Sequence, residues 1–205
     1  MMVLVHLRPS YPIMTPRLAL RPLTVDDTDA LLAYRGRADV CRYLPFEPMS
    51  VETLRARLAR DLSTTAITEP GQSLTLGVRV DDEGDVIGDV VLFFHNLEHR
   101  AGELGYVFAP EASGHGYASE ACAAVLALAF DQLGLHRVIA RMDARNDPSA
   151  RLAVRLGMRQ EAHLVRHAMF KGEWSDELVY AMLAEDWPGS AAHQALRPPS
   201  PTAGH

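Results

Sequence analysis

The sequence contains few cysteines and no long hydrophobic run, and each shortage excludes a class of protein. Cys41 and Cys122 are the only cysteines among 205 residues, too few for the disulfide framework of a small secreted scaffold. The apolar run near the amino terminus, residues 3–5, is too short for a signal peptide or a membrane span. We therefore expect reduced thiols in a cytoplasmic protein that has no membrane partner.

A surplus of basic residues is also missing. The chain has 20 Lys and Arg against 26 Asp and Glu, a formal net charge of −6. Proteins that bind nucleic acid usually present a basic face, so we expect no nucleic-acid partner. The acidic balance is compatible with a cationic substrate such as an amine. The hydrophobic fraction of 48% and the length are those of a globular protein with one well-buried domain.

Three common ligand motifs are absent. No G-x-x-x-x-G-K-S/T string occurs, so there is no Walker loop. Residues 114–119, G-H-G-Y-A-S, lack the third glycine of a dinucleotide fingerprint and lie in the middle of the chain. His95 and His99, like His163 and His167, are four residues apart, but these pairs fall in predicted strands or turns without a nearby cysteine. We expect no metal site.

The chain does contain a glycine loop between a predicted strand and an alanine-rich helix. The strand covers residues 103–108, and the loop with Gly114 and Gly116 opens a helix that is expected to end near Leu133. Glycines let the backbone approach a ligand closely, and the first turn of a helix leaves its N–H groups unpaired. Because the helix dipole is also positive there, the pattern predicts a cradle for a phosphate or pyrophosphate.

Hydrophobic periodicity and turn residues predict the order of the other elements. Strands are expected at residues 17–21, 73–80, 86–94, 102–108, 137–143, 159–170 and 178–183. Thr24 and Ser50 are expected to cap two helices that precede the hairpin strands. Asp147, followed by Pro148, is expected to cap a later helix that ends at Gly157.

This order predicts an α/β fold with a single domain at residues 14–187. Consecutive strands between 73 and 108 should be antiparallel, whereas the strand–helix–strand crossover between 102 and 143 requires a parallel pair. The central sheet is therefore expected to be mixed and mostly antiparallel, with about seven strands and helices on both faces. Residues 1–13 are expected to form an N-terminal extension. Residues 188–205, rich in Pro, Ala, Ser and Gly, are expected to form a disordered C-terminal tail.

Several motifs occur together in one order. They are Leu104-Gly105-Tyr106, Pro110-Glu111, Gly114-x-Gly116-Tyr117-Ala118-x-Glu120-Ala121, Asn146-x-x-Ser149 and Leu156-Gly157-Met158. This combination resembles the GNAT superfamily of acetyl-CoA-dependent N-acetyltransferases, particularly its RimJ/RimL-like branch of ribosomal-protein acetyltransferases, over roughly residues 16–187. One position departs from the superfamily loop, which usually begins with Gln or Arg, because Glu111 stands there. Since the cradle consists of backbone N–H groups, we expect Glu111 to point to solvent.

The resemblance implies a GNAT-like fold in which an amine attacks the thioester carbonyl of acetyl-CoA directly. It assigns the pyrophosphate of this cosubstrate to Ser113, Gly114, His115, Gly116, Tyr117, Ala118 and Ser119. The peptide-like pantetheine arm would bind Phe108 and Ala109, at the end of a strand that diverges from its neighbour. Asn146 would contact the arm from the other side of the gap, or would simply be a turn residue before the helix.

Glu103 is the candidate general base and Ser149 the candidate acid. In an alternating strand Glu103 shares a face with Gly105 and Val107, so it faces the cleft if its larger neighbours pack under the helix. The alternative is a solvated or ion-paired strand residue. Ser149 stands where the RimL-like branch is thought to use a serine near the leaving thiolate, but a first-turn serine can also just bond the backbone. An N–H near Val107 or Phe108 would stabilise the oxyanion.

Two classes of function remain open. The first is an acetyl-CoA-dependent N-acetyltransferase that acts on a primary amine, either a protein N-terminus or a small molecule. The second is a CoA-binding sensor or scaffold without catalysis, which would keep the same glycine loop. Residues 43–49 and 171–176 are expected to flank the acceptor cleft. Trp174 in the latter segment is compatible with a homodimer, because exposed tryptophans often mark contact surfaces.

Overall fold

One eight-stranded sheet organises the chain. A computed structural model describes residues 6–196. The strands are β1 (Ile13–Met14), β2 (Leu18–Pro22), β3 (Ser73–Val80), β4 (Val86–Asn96), β5 (Ala101–Phe108), β6 (Arg137–Asp143), β7 (Arg159–Phe170) and β8 (Glu173–Leu183). Their spatial order is β1-β2-β3-β4-β5-β6-β8-β7, and every neighbouring pair is antiparallel except β5–β6. The mixed, mostly antiparallel sheet is confirmed, with the short edge strand β1 added to the predicted seven.

Helices cover both faces of the sheet, which is also confirmed. They are α1 (Thr28–Arg35), α2 (Ala38–Cys41), α3 (Val51–Arg57), α4 (Tyr117–Ala127), α5 (Asp147–Leu156) and α6 (Ala191–Ala195). On one face α4 contributes Val125 to a core that includes Leu104 of β5. On the other face Leu31 and Leu54, from α1 and α3, pack with Val107 of β5. The alternation of side chains along β5 thus supplies both cores. Within residues 6–196 no helix is long and apolar enough to cross a membrane.

The parallel pair β5–β6 is short. Residues 101–103 of β5 pair with residues 137–139 of β6, and no pairing continues beyond them. β6 nevertheless stays paired with β8 along its whole length. The two strands therefore diverge at their carboxyl ends, and a gap opens in the middle of the sheet.

Of the three predicted caps, Ser50 begins α3 as expected, Thr24 begins a short 3-10 turn (Val25–Asp27) that leads into α1, and the third is wrong. The Ser50 Oγ accepts a hydrogen bond from the Thr53 N–H at 3.2 Å. At α5 the predicted cap, Asp147, is wrong, because Asn146 occupies that position and its Oδ1 accepts the Ser149 N–H at 3.3 Å. Asparagine and aspartate cap helices about equally well, so the two adjacent candidates are not separable by residue type.

The ends of the described chain pack against the domain. Leu7 is buried, and its N–H donates to the Ile67 carbonyl at 2.8 Å. Trp187 is 1% exposed, and a short helical turn and α6 follow it. The predicted disorder therefore does not extend to residues 188–196, because they cover the apolar surface around Trp187. Residues 1–5 and 197–205 lie outside the described part, and the domain boundaries at 14 and 187 stay predictions.

The two tryptophans provide a matched test of this packing. Trp187 contacts the Phe130 ring and donates from Nε1 to Asp131 Oδ1 at 3.0 Å. We expect Trp187→Ala to lower the free energy of unfolding by about 3–5 kcal/mol, since it leaves a large cavity. Trp174 is 61% exposed, so Trp174→Ala should change it by less than about 0.5 kcal/mol. Urea titration followed by circular dichroism measures both, and equal losses would contradict the packing described.

Candidate active site

Two cavities meet where β5 and β6 diverge. The first has a volume of about 570 Å³ and the second about 370 Å³. Both are lined by Leu44, Tyr106, Val107, Asn146 and Ser149. A molecule held in one cavity can therefore reach a molecule held in the other through this junction.

The glycine loop and the start of α4 form the wall of the second cavity. The Ser113 N–H donates back to the Pro110 carbonyl at 3.0 Å, and the Glu120 N–H donates to the Gly116 carbonyl at 3.1 Å. Between them, the N–H groups of residues 114–119 make no hydrogen bond to any other described residue. Unpaired donors at the start of a helix, where the dipole is positive, form an anion site.

Nearly all of the residues expected to hold a cofactor lie together here. The wall includes Phe108, Ala109, Ser113, Gly114, Gly116, Tyr117, Ala118, Ser119 and Asn146. His115 is the exception, because its ring stacks on the Tyr117 ring with centroids 5.3 Å apart and does not line the cavity.

Glu120 braces the loop through a cluster that sequence patterns do not reveal. This buried carboxylate accepts hydrogen bonds from Thr15 Oγ1 at 2.6 Å, the Arg17 N–H at 2.8 Å and Arg17 Nε at 2.7 Å. Arg17 Nη1 in turn donates to the His115 carbonyl at 2.9 Å, and its guanidinium carbon lies 5.0 Å from the centroid of the Tyr117 ring. The loop is therefore anchored to the segment that enters β2.

Two charged side chains lie at the edges of the loop. The Glu111 side chain is 72% exposed and pairs with Arg37 at 3.1 Å, so it points to solvent. Arg155 of α5 lines the second cavity, and its Nε donates to Ser119 Oγ at 3.4 Å. It adds a positive charge beside the unpaired N–H groups. Arg155 follows Leu152 by three residues, so the two share one face of α5, and Leu152 lines the same cavity. This helical spacing could have identified Arg155 from the sequence.

The divergence of the strands frees one side of β5. Ala109 donates its N–H to the Ile87 carbonyl at 2.9 Å, so odd-numbered residues here direct their backbone groups at β4. Even-numbered residues direct theirs at the gap, where Phe108 has no strand partner. Both backbone groups of Ala109 are used, since its carbonyl accepts the Ala112 N–H at 3.0 Å. By the same alternation Phe108, and not Val107, directs an N–H into the gap.

Ser149, Asn146 and Tyr106 form the junction between the cavities. The Asn146 oxygen caps α5, while its amide nitrogen makes no hydrogen bond to a described residue, so its capping role leaves one polar atom free. The Tyr106 O–H donates to the Ser149 carbonyl at 3.2 Å. Burial raises the pKa of Tyr106, so this phenol stays protonated. The Ser149 hydroxyl has no hydrogen-bond partner among the described residues.

Glu103 lies on the wall of the first cavity and is also ion-paired. Its side chain is 15% exposed. Oε2 accepts a hydrogen bond from Arg141 Nη2 at 2.9 Å and lies 3.1 Å from His95 Nε2. Oε1 makes no hydrogen bond to a described residue. One oxygen is thus held in place while the other remains available.

The other charged groups of the first cavity are paired as well. Asp89 is fully buried and accepts hydrogen bonds from the Tyr34 O–H at 2.6 Å and from Nε and Nη2 of Arg35 at 3.0 and 2.5 Å. Arg57 pairs with Asp61 at 3.3 Å. Burial alone would lower the pKa of Arg35, but the Asp89 carboxylate raises it, so the guanidinium stays charged.

One of the two segments expected to flank the acceptor cleft lines this cavity. Residues 43–46 form part of its wall, whereas residues 171–176 do not. Lys171, at the tip of the β7–β8 hairpin, instead donates from Nζ to the Cys41 carbonyl at 2.7 Å and lies 3.6 Å from the Glu47 carboxylate. The hairpin therefore supports the segment 43–46 from outside the cavity.

Three of the four paired histidines, His95, His163 and His167, lie beside a carboxylate. His95 lies beside Glu103, and His163 Nε2 lies 2.8 Å from Asp176 Oδ2. Among residues 6–196 no group of three potential ligands from His, Cys, Asp and Glu comes together.

The sequence is similar to that of known acetyltransferases. A family model described as "Acetyltransferase (GNAT) domain" matches residues 17–159. The uncharacterized N-acetyltransferase YnaD of Bacillus subtilis is 34% identical over 175 residues, which is 85% of this chain and 98% of that protein. The ribosomal protein uS5-alanine N-acetyltransferase of Escherichia coli is 28% identical over 189 residues, 87% of this chain and 94% of that protein.

Solved structures share the fold. A GNAT-family acetyltransferase from Bacillus anthracis matches with a TM-score of 0.75 at 31% identity, covering 84% of this chain and 98% of that one. RimJ of Mycobacterium smegmatis, in complex with CoA-disulfide, matches with a TM-score of 0.71 at 25% identity, covering 91% and 95%.

Alanine at Gly114 tests the backbone of the loop alone. Gly114 has φ +82, and a Cβ there would meet nothing within 4 Å. We expect Gly114→Ala to lower the free energy of unfolding by about 1–2 kcal/mol, because the left-handed conformation disfavours a side chain. Gly189 has the same open surroundings without a left-handed φ, so Gly189→Ala should cost less than about 0.5 kcal/mol. Urea titration checks this, and similar losses would contradict it.

Proposed function

The chain belongs to the GNAT acetyltransferase family and is an N-acetyltransferase, and from that premise we propose that it transfers an acetyl group from acetyl-CoA directly to a primary amine. The observation that carries the proposal is the run of unpaired N–H groups at residues 114–119. A diphosphate is the part of CoA that such a cradle would hold. Arg155 would add charge complementarity from α5.

The gap between β5 and β6 fits the rest of the cosubstrate. A pantetheine arm carries amide groups, and the backbone of Phe108 is directed at the gap without a strand partner. Asn146, whose amide nitrogen makes no hydrogen bond to a described residue, lines the same cavity. An arm that enters here ends at the junction, where the Ser149 hydroxyl lies. The CoA-disulfide complex of the mycobacterial relative supports this assignment.

The acetyl donor supplies a thioester, and residues of this chain would accept the proton of the amine and donate one to the leaving thiolate. An amine must be neutral to attack, so a carboxylate at the acceptor side is required as proton acceptor. Glu103 fills this role through its free Oε1, while Arg141 and His95 hold Oε2 in place. The Ser149 hydroxyl would donate to the departing thiolate, and Tyr106 would position Ser149 through its carbonyl. The Phe108 N–H would stabilise negative charge on the thioester oxygen.

The acceptor that best suits this site is a protein N-terminus. An α-amino group has a pKa of about 7.7–8.0, whereas a lysine-like amine has one near 10.4, so the α-amine is more easily neutralised at physiological pH. The E. coli relative that acts on alanine of ribosomal protein uS5 supports this choice. A small amine is the second choice. Acetyl transfer to either acceptor requires Glu103 in an open cavity that is joined to the CoA site. A CoA sensor without catalysis would not need such a cavity.

Arg155 provides a test of the CoA site. We expect Arg155→Ala to weaken CoA binding roughly 10-fold, because one charge-assisted contact to a phosphate is lost. The loss should shrink at high salt, since the ion pair is screened. Arg151→Ala is the matched control, because Arg151 lies on the same helix, is exposed and lines neither cavity. Calorimetric titration at two salt concentrations measures both, and indistinguishable affinities would remove Arg155 from the site.

Glu103 provides a test of catalysis. Glu103→Gln keeps the shape but removes the proton acceptor, so kcat should fall roughly 100-fold while the affinity for CoA is unchanged. Glu98→Gln, in the exposed turn after β4, should behave as wild type. Release of free CoA thiol with a peptide acceptor measures kcat. Full activity in Glu103→Gln would exclude it as the base, and a wild type that binds CoA but acetylates no amine would favour the sensor.

A further inference from the structure

An exposed phenylalanine lines the first cavity. Phe93 of β4 is 40% exposed, and among the exposed large apolar side chains of residues 6–196 it alone lines either cavity. A single apolar residue on an open surface needs no explanation, but a ring on the wall of a cavity is an apolar surface that a ligand can cover. The position of this ring therefore indicates what kind of acceptor the cavity holds.

The ring of Phe93 lies beside the proposed base. Phe93 and Glu103 are directly paired across β4 and β5, so their side chains leave the sheet on the same face as close neighbours. The ring leans along β5 toward Gly105, since Phe93 Cε2 would lie 3.7 Å from a Cβ placed on that glycine. On this face of β5, Gly105 lies between Glu103 and Val107, which lines both cavities. The ring thus borders the route from the base to the junction.

The wall between Glu103 and Val107 is apolar. A Cβ on Gly105 would lie 2.9 Å from Val91 Cγ1, closer than two carbon atoms approach without strain. The absence of a side chain at Gly105 therefore lets Val91 and Phe93 cover the backbone there with carbon atoms. Whatever is attached to an amine on this route meets an apolar surface.

The charged groups of the cavity balance one another. Three arginines and three carboxylates line it, and they form the pairs Arg35–Asp89, Arg57–Asp61 and Arg141–Glu103. A polyamine, which brings several positive charges, finds no surplus of negative charge in these three pairs. Residues 44–46, Leu-Pro-Phe, add further apolar surface to the same cavity. The cavity therefore suits one amine that is attached to an uncharged, apolar group.

We propose that Phe93 is a specificity-determining residue, whose ring packs against a large apolar side chain next to the acceptor amine. The acceptor class is a peptide whose first residue is large and apolar, such as leucine, methionine or phenylalanine. The methyl group of an alanine would cover little of this surface. This inference rests on the proposed acetyl transfer, and it adds what the acceptor must carry beside its amine.

The test compares three peptides that differ only in their first residue. Leucine and asparagine have nearly the same shape, alanine lacks the large side chain, and all three peptides offer a free α-amine. For the wild type we expect kcat/KM for the leucyl peptide to exceed each of the other two roughly 10-fold, because only its side chain buries apolar surface against the ring. Release of free CoA thiol measures kcat/KM. Equal values for the three peptides, or a higher kcat/KM for spermidine than for the leucyl peptide, would overturn the proposal.

Variants at Phe93 separate the ring from the rest of the cavity. Phe93→Ala removes the apolar surface, so the ratio of kcat/KM between the leucyl and alanyl peptides should fall toward 1. Phe93→Leu keeps an apolar side chain and should retain most of the ratio. Leu97→Ala is the matched control, because Leu97 is 39% exposed in the turn after β4 and lines neither cavity, so it should keep the wild-type ratio.

A folded Phe93→Ala, recognised by wild-type affinity for CoA, that keeps the full ratio would overturn the assignment. If Phe93→Ala does not fold, Phe93→Thr takes its place, because threonine suits a strand and also removes the ring. The same fall in the ratio is expected there, and an unchanged ratio would again overturn the assignment.

The outcomes also distinguish this inference from the function on which it rests. If the wild type binds CoA but releases no thiol with any of the peptides or with small amines, acetyl transfer itself fails. If it acetylates the three peptides equally well, the transfer stands and only the role of Phe93 fails.

Discussion

The site depends on the early separation of two neighbouring strands. β5 and β6 share only three paired positions, and beyond them each strand keeps its other neighbour, so the gap is held open by β4 on one side and β8 on the other. The gap joins the first cavity to the second, whose wall includes the glycine loop. Since α4 starts directly after β5, the same divergence also aims the start of the helix at the opening.

The glycine loop offers backbone donors, and side chains outside the loop hold its shape. Its donors are backbone N–H groups, which explains why Glu111 can stand at a position that usually carries Gln or Arg. What the loop needs is a fixed shape, and Glu120 with Arg17 supplies it from the buried side. A buried carboxylate is costly unless it is paired and hydrogen-bonded, and Glu120 meets both conditions.

Local features of the chain were predictable from the sequence, and long-range pairings were not. Strand alternation, helix caps and left-handed glycines depend on neighbouring residues, so the strands, α4 and the position of Glu103 on the cavity wall follow from short patterns. Arg35 and Asp89 lie 54 residues apart, and Arg17 and Glu120 lie 103 apart, and no spacing rule connects them. The composition of residues 188–205 suggested disorder, because the packing of α6 against α4 joins residues that are distant in sequence and leaves no local pattern.

The contact between Lys171 and the Cys41 carbonyl has a practical consequence. Lys171 is the only lysine of the chain, and it connects the β7–β8 hairpin to the chain beside residues 43–46, which line the first cavity. An amine-reactive label has no other lysine side chain to modify. The rate at which Lys171 itself is labelled, read from its proteolytic peptide, therefore reports on how often this bridge opens.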